Sequence, residues 1–178
     1  DALDVDSLFS DFFAGGYREA FKDLNVALVI PQVSLRTSIR KVFKRTPGLS
    51  QDAVMSPFEL AKSGKKFDVV IVDEAHRLQQ RANQPAAAQN KDYRQINIKL
   101  FGKDDIHKTQ IDWIKACSNN QIFLVDSAQS VKPADVPSHH LDALVAEAKT
   151  DHTFFRLTSQ MRVIGGSDYI DFILQLLN

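Results

Sequence analysis

One cysteine, Cys117, stands among 178 residues, so neither an internal disulfide nor a thiolate metal cluster can form. Charge of one sign is also missing. The 22 Lys and Arg balance 22 Asp and Glu, which excludes a generally basic nucleic-acid coat but leaves room for a local basic groove. Apolar runs are only a handful of residues long, so nothing reads as a membrane span, and the acidic start of Asp1, Asp4 and Asp6 does not resemble a signal peptide. With a single thiol, this points to a reducing, cytoplasmic setting. Glycine is scarce, at seven residues, and no pair of them builds the phosphate-binding pattern G-x-x-x-x-G-K-[ST]. Gly64-Lys65-Lys66 has Glu59 where the first glycine belongs, and Gly102-Lys103 is followed by Asp104.

What remains is ordinary globular material, 44% apolar and 25% charged, enough for one domain or a domain plus a fragment. Five short runs read as strands: Asn25–Ile30, Ala53–Met55, Phe67–Val72, Gln121–Val125 and Thr153–Leu157. Most lack polar/apolar alternation, as strands buried on both faces do. Helical periods lie between and after them at Ser34–Phe43, Pro57–Ser63, Ile106–Ser118, Ser138–Lys149 and Ser167–Leu177, with Ser34, Ser56 and Ser138 as start signals. Strands alternating with helices predict an α/β fold, a mostly parallel sheet with flanking helices. Residues 1–24 read as a helical N-terminal piece ahead of a core over 25–178. The polar stretch 79–105 is too long for an ordinary connection and reads as an exposed loop or insertion.

The chemistry concentrates in Val69-Val70-Ile71-Val72-Asp73-Glu74-Ala75-His76. A buried strand that ends in two carboxylates delivers them to the carboxyl edge of a parallel sheet, where ligands of open α/β folds bind. Asp73 there could hold a hydrated Mg²⁺ and Glu74 could activate a water; equally, the pair could simply end a strand. A second feature is the helix after the first strand. Arg36, Arg40 and Lys44 recur every four residues, with Lys41 and Arg45 beside them and no acid between, while Leu35, Ile39, Val42 and Phe43 read as the opposite face. Such a ridge suits nucleic-acid phosphates, or is a solvated face. Trp113 reads as a core anchor, Cys117 as a buried small hydrophobe, and His139-His140 as a helix start without metal-ligand spacing.

The run Val69–Leu78 (VVIVDEAHRL) resembles the Walker B segment, or motif II, of helicase-type P-loop ATPases, and three further stretches stand in the matching order around it. Phe123-Leu124-Val125-Asp126-Ser127-Ala128-Gln129 resembles motif III of superfamily 1 helicases, Leu157-Thr158-Ser159-Gln160-Met161-Arg162 resembles motif IV, and Asn25–Phe43 resembles motif Ia. Together these stretches look most like the Schlafen-group-3-like DNA/RNA helicase domain, and Arg162-x-x-Gly165-Gly166-Ser167-x-Tyr169 is similar to that family's ending.

The resemblance implies a RecA-like P-loop NTPase fold with ATP and Mg²⁺ as cofactors and nucleic acid, DNA or RNA and single-stranded, as partner. Residue by residue it implies Asp73 as the Mg²⁺ ligand through water, Glu74 as general base, and Gln129 and Arg162 at the γ-phosphate. It also implies His76 as the link from motif II to motif III, and Arg36, Arg40 and Lys44 on the nucleic-acid backbone. Ser127-Ala128 departs from the more polar middle expected of motif III.

The same resemblance places a phosphate loop ahead of Asn25 and a second RecA-like domain after the last helix. The expectation is therefore an incomplete domain of a larger motor, inactive in ATP turnover on its own. A non-catalytic ATPase-like module that binds nucleic acid or a protein is the alternative, and a nuclease-linked accessory ATPase a third.

Overall fold

The computed structural model describes residues 23–81, 87–126, 133–157 and 175. The expected N-terminal helical piece and the last helix, Ser167–Leu177, lie outside the described residues, apart from single positions. The chain divides into two compact units, Asp1–Pro137 and Ser138–Asn178.

The first unit is built on a parallel sheet of four strands, β1 (Val26–Val29), β2 (Val54–Met55), β3 (Phe67–Val72) and β4 (Ser118–Phe123), in the order β2-β1-β3-β4. Four helices accompany them: α1 (Val33–Arg45), α2 (Pro57–Lys62), α3 (Ala87–Phe101) and α4 (Gln110–Cys117). The α/β arrangement and the parallel pairing expected from the alternating runs are both present. β1 to β2 steps one way across the sheet; β2 to β3 and β3 to β4 step the other way. The right-hand rule for parallel crossovers therefore sends α1 to one face and α2, α3 and α4 to the other. The direction reverses between β1 and β3, and their carboxyl ends diverge into a crevice there.

Local chemistry explains where elements begin. Ser56 caps α2 through a reciprocal box with Glu59, and Pro57 takes the first helical position. Thr109 and Asp112 do the same for α4. Ser34 is no cap: α1 starts at Val33, behind Gln32, with no side-chain cap. Val70 and Val72 of β3 and Ala27 and Val29 of β1 are wholly buried.

Several expectations change. The stretch 79–105 is not an exposed loop, because α3 occupies much of it and packs Tyr93 and Ile96 against Ala61 and Trp113. Those few apolar positions at helical spacing sit among amides and charges, so the average polarity hid the period. β4 starts three residues earlier than the apolar run, at Ser118, since pairing with β3 runs from Phe67↔Ser118 to Val72↔Phe123. Asn119 and Asn120 extend it by hydrogen-bonding Asp68.

The second unit opens with α5 (Ser138–Thr150), whose first turn holds His139 and His140, as the helix-start reading expected. Thr153–Leu157 forms no strand; Phe155 is 82% and Leu157 88% exposed. An apolar run becomes a strand only where a neighbouring edge takes up its backbone groups. Among the described residues, no helix is long and apolar enough to cross a membrane.

Candidate functional site

β3 ends at Val72 and delivers Asp73 and Glu74 to the carboxyl edge of the sheet. The Asp73 amide still donates to Val29 O at 3.0 Å, which holds the first carboxylate in line with the strand. Its Oδ1 accepts from the Glu74 amide at 3.0 Å. Glu74 then turns the chain sharply, in the left-handed region at φ 52° and ψ 46°. A non-glycine residue there costs about 1–2 kcal/mol and persists only when its surroundings over-determine it.

Those surroundings are visible. A 3-10 turn, Ala75–Arg77, follows at once, and the Ala75 amide donates to Leu124 O at the end of β4, 2.9 Å away. His76 is 1% exposed, and its Nε2 lies 3.2 Å from Glu74 Oε2. The imidazole therefore fixes the direction of one carboxylate oxygen. Leu78–Gln80 is pinned by a returning segment: Val136 N donates to Leu78 O at 2.7 Å and Gln80 N to Ala134 O at 3.1 Å. Asp135, 4% exposed, sits 3.7 Å from the Arg77 guanidinium.

Glu74 opens on a cleft of about 630 Å³ at the crevice between β1 and β3. Pro31, Gln32, Val33 and Arg36 line it from the β1 end, Ser56, Pro57 and Phe58 from the β2 end, and Arg77, Gln79, Gln89, Gln110 and Asp135 complete it. Its volume falls in the range of small-ligand sites, roughly 300–1,000 Å³.

The basic ridge is divided. Arg36 donates to Ile30 O at 2.7 Å and Pro31 O at 3.1 Å, and Arg40 donates to Val54 O and to Glu59 Oε2, both at 2.9 Å. Both lie with Leu35, Ile39 and Phe43 on the half-buried face, not opposite it. Carbonyls at the ends of β1 and β2 need donors, and a guanidinium supplies several at once. Lys44 is exposed, as are Lys41 and Arg45. Although burial pushes the Glu59 carboxyl up, hydrogen bonds from Ser56 and Arg40 outweigh it and hold that carboxyl below its usual range.

Asp73, Glu74 and His76 are thus neighbours at one turn, and of the three Glu74 lines the cleft, together with Arg36. Gln129 and Arg162 lie outside the described residues. Gln110, Asp135 and Glu59 line or buttress the cleft without belonging to any motif; only the Thr109-x-x-Asp112 capping pattern hints in the sequence that Gln110 opens a helix.

No curated protein and no solved structure matches the chain. The family described as Schlafen group 3, DNA/RNA helicase domain matches residues 18–178, nearly the whole of it. The chain therefore belongs to the Schlafen group 3 DNA/RNA helicase domain family.

Proposed function

We propose that this domain is part of the first motor domain of an ATP-dependent nucleic-acid helicase or translocase, RecA-like in type, with β3 as its Walker B strand. A helicase-type role on nucleic acid follows from the family itself. The observation that carries the ATP-dependent reading is Glu74, held in a strained conformation with its carboxylate against buried His76 at the mouth of the cleft.

Among the described residues no group of three or more His, Cys, Asp or Glu could cage a metal ion. An acid pair without a cage fits Mg²⁺, which keeps several waters and takes one or two carboxylates plus phosphate oxygens. Asp73 would hold it, one oxygen already oriented by the Glu74 amide. The metal would neutralise charge developing on the transferred phosphoryl group. Glu74 accepts the proton of an attacking water, and His76 keeps the accepting oxygen in place. Gln129 and Arg162 are proposed to complete the γ-phosphate side, in the cytoplasm, with single-stranded nucleic acid as partner.

The test uses the full-length gene product. Glu74→Gln should abolish nucleic-acid-stimulated ATP hydrolysis while ATP binding persists. Undiminished turnover in that variant would refute the assignment, and a wild-type protein that binds nucleic acid without hydrolysing ATP would favour a non-catalytic module.

A further inference from the structure

The turn that carries Glu74 and His76 is tied down at its far end by Gln110 as well as by Ala134 and Val136. Gln79 donates its backbone N–H to Gln110 Oε1 at 2.9 Å, and its carbonyl accepts from the Gln110 backbone N–H at 3.1 Å. Gln110 is 2% exposed and opens α4, directly behind the Thr109/Asp112 capping box. Its side chain also faces the Tyr93 hydroxyl, close enough to oppose the rise in pKa that burial imposes there but without a well-formed hydrogen bond. The Tyr93 ring in turn lies 4.5 Å from that of Trp113.

Helix geometry does not require an amide at this position, and a buried amide is costly unless its groups are used. Here its Oε1 is used on the backbone of the turn, while the second contact to Gln79 comes from the Gln110 backbone N–H. A left-handed Glu74 needs constraint from outside the turn, and the two bonds on Gln79 add to it five residues away. We propose that Gln110 is a positioning residue, which fixes the angle at which the Glu74 carboxylate enters the cleft by holding both backbone groups of Gln79. The inference rests on the reading of Glu74 as the water-activating base.

The test is steady-state ATP hydrolysis by the full-length gene product with saturating nucleic acid, alongside thermal melting. Gln110→Met keeps the volume and removes the acceptor. It should lower kcat by about 10–100-fold, as loss of an orienting partner does, with KM for ATP nearly unchanged. Gln110→Glu restores an acceptor for the Gln79 amide and should recover most of kcat. If Gln110→Met does not fold, Gln110→Asn, whose amide falls one methylene short, should show the same selective loss. Unchanged kcat in the folded variant, or a loss that Gln110→Glu fails to rescue, overturns the proposal. A wild-type protein without Mg²⁺-dependent hydrolysis overturns the reading of Glu74 and the positioning role with it.

Discussion

The division of the α1 cations leads to a quantitative prediction about nucleic-acid binding. Lys41, Lys44 and Arg45 are spaced i, i+3 and i+4, neighbours on one exposed helix face. Arg36 and Arg40 instead secure carbonyls at the strand ends. If the exposed three each meet a backbone phosphate, their replacement by Ala removes three counterion-releasing contacts. At about 0.7 per contact for single strands, the plot of log K against log salt should flatten by about 2. The Arg36→Ala/Arg40→Ala pair should leave that slope nearly unchanged. It should cost about 2 kcal/mol of stability through lost charged hydrogen bonds, lowering Tm by about 4–8 °C in a chain of this size. Fluorescence anisotropy with a labelled oligothymidine, titrated over a range of salt, separates the two outcomes. The reasoning fails if the arginine pair flattens the slope while Tm stays put, or if the exposed triple variant keeps the wild-type slope.

Two further predictions concern the scaffold. Trp113 Nε1 donates to Asn97 Oδ1 at 2.8 Å in a buried setting, and Asn97 Nδ2 donates to Asp105 O at 2.6 Å. Asn97→Leu should therefore destabilise the domain by about 1–3 kcal/mol, read by urea denaturation, because it strands the indole N–H; a neutral effect would show that the indole finds another acceptor. Glu59→Gln should weaken the α2 cap and the Arg40 contact, at about 0.5–2 kcal/mol for the cap. Since the folded-state carboxyl is held low, its contribution is present above the unfolded pKa and lost as pH falls through the folded one. Melting curves of wild type and Glu59→Gln should thus converge on acidification, and a constant gap down to low pH would contradict the assignment.

Much of this domain was legible from residue order. β3 lies where its unbroken apolar run ends in Asp73 and Glu74, and α2 starts where Ser56-Pro57 announces it. The family match spans residues 18–178 of the sequence, whatever the side chains pack against. Less legible were the elements whose definition comes from a partner. Ser118–Asn120 joins a strand because β3 offers a bonding edge, and Thr153–Leu157 remains outside one despite its apolar side chains. The helix within 79–105 is held by only a few buried contacts, which average polarity cannot reveal.

The sequence alone determined which residue types meet at the end of β3, since neighbours along a strand cannot be separated by folding. It also determined that no disulfide can form within the chain, with a single Cys117. Only the tertiary structure decided which cations remain available and what restrains Glu74. Arg36 and Lys44 share one helical repeat, yet one donates to the Ile30 and Pro31 carbonyls just past β1 and the other faces solvent. Gln110 becomes a partner of the turn because α4 starts beside it, although 31 residues separate Gln110 from Gln79. Hydrogen-bond partners across such distances are set by packing, and packing is a property of the folded chain.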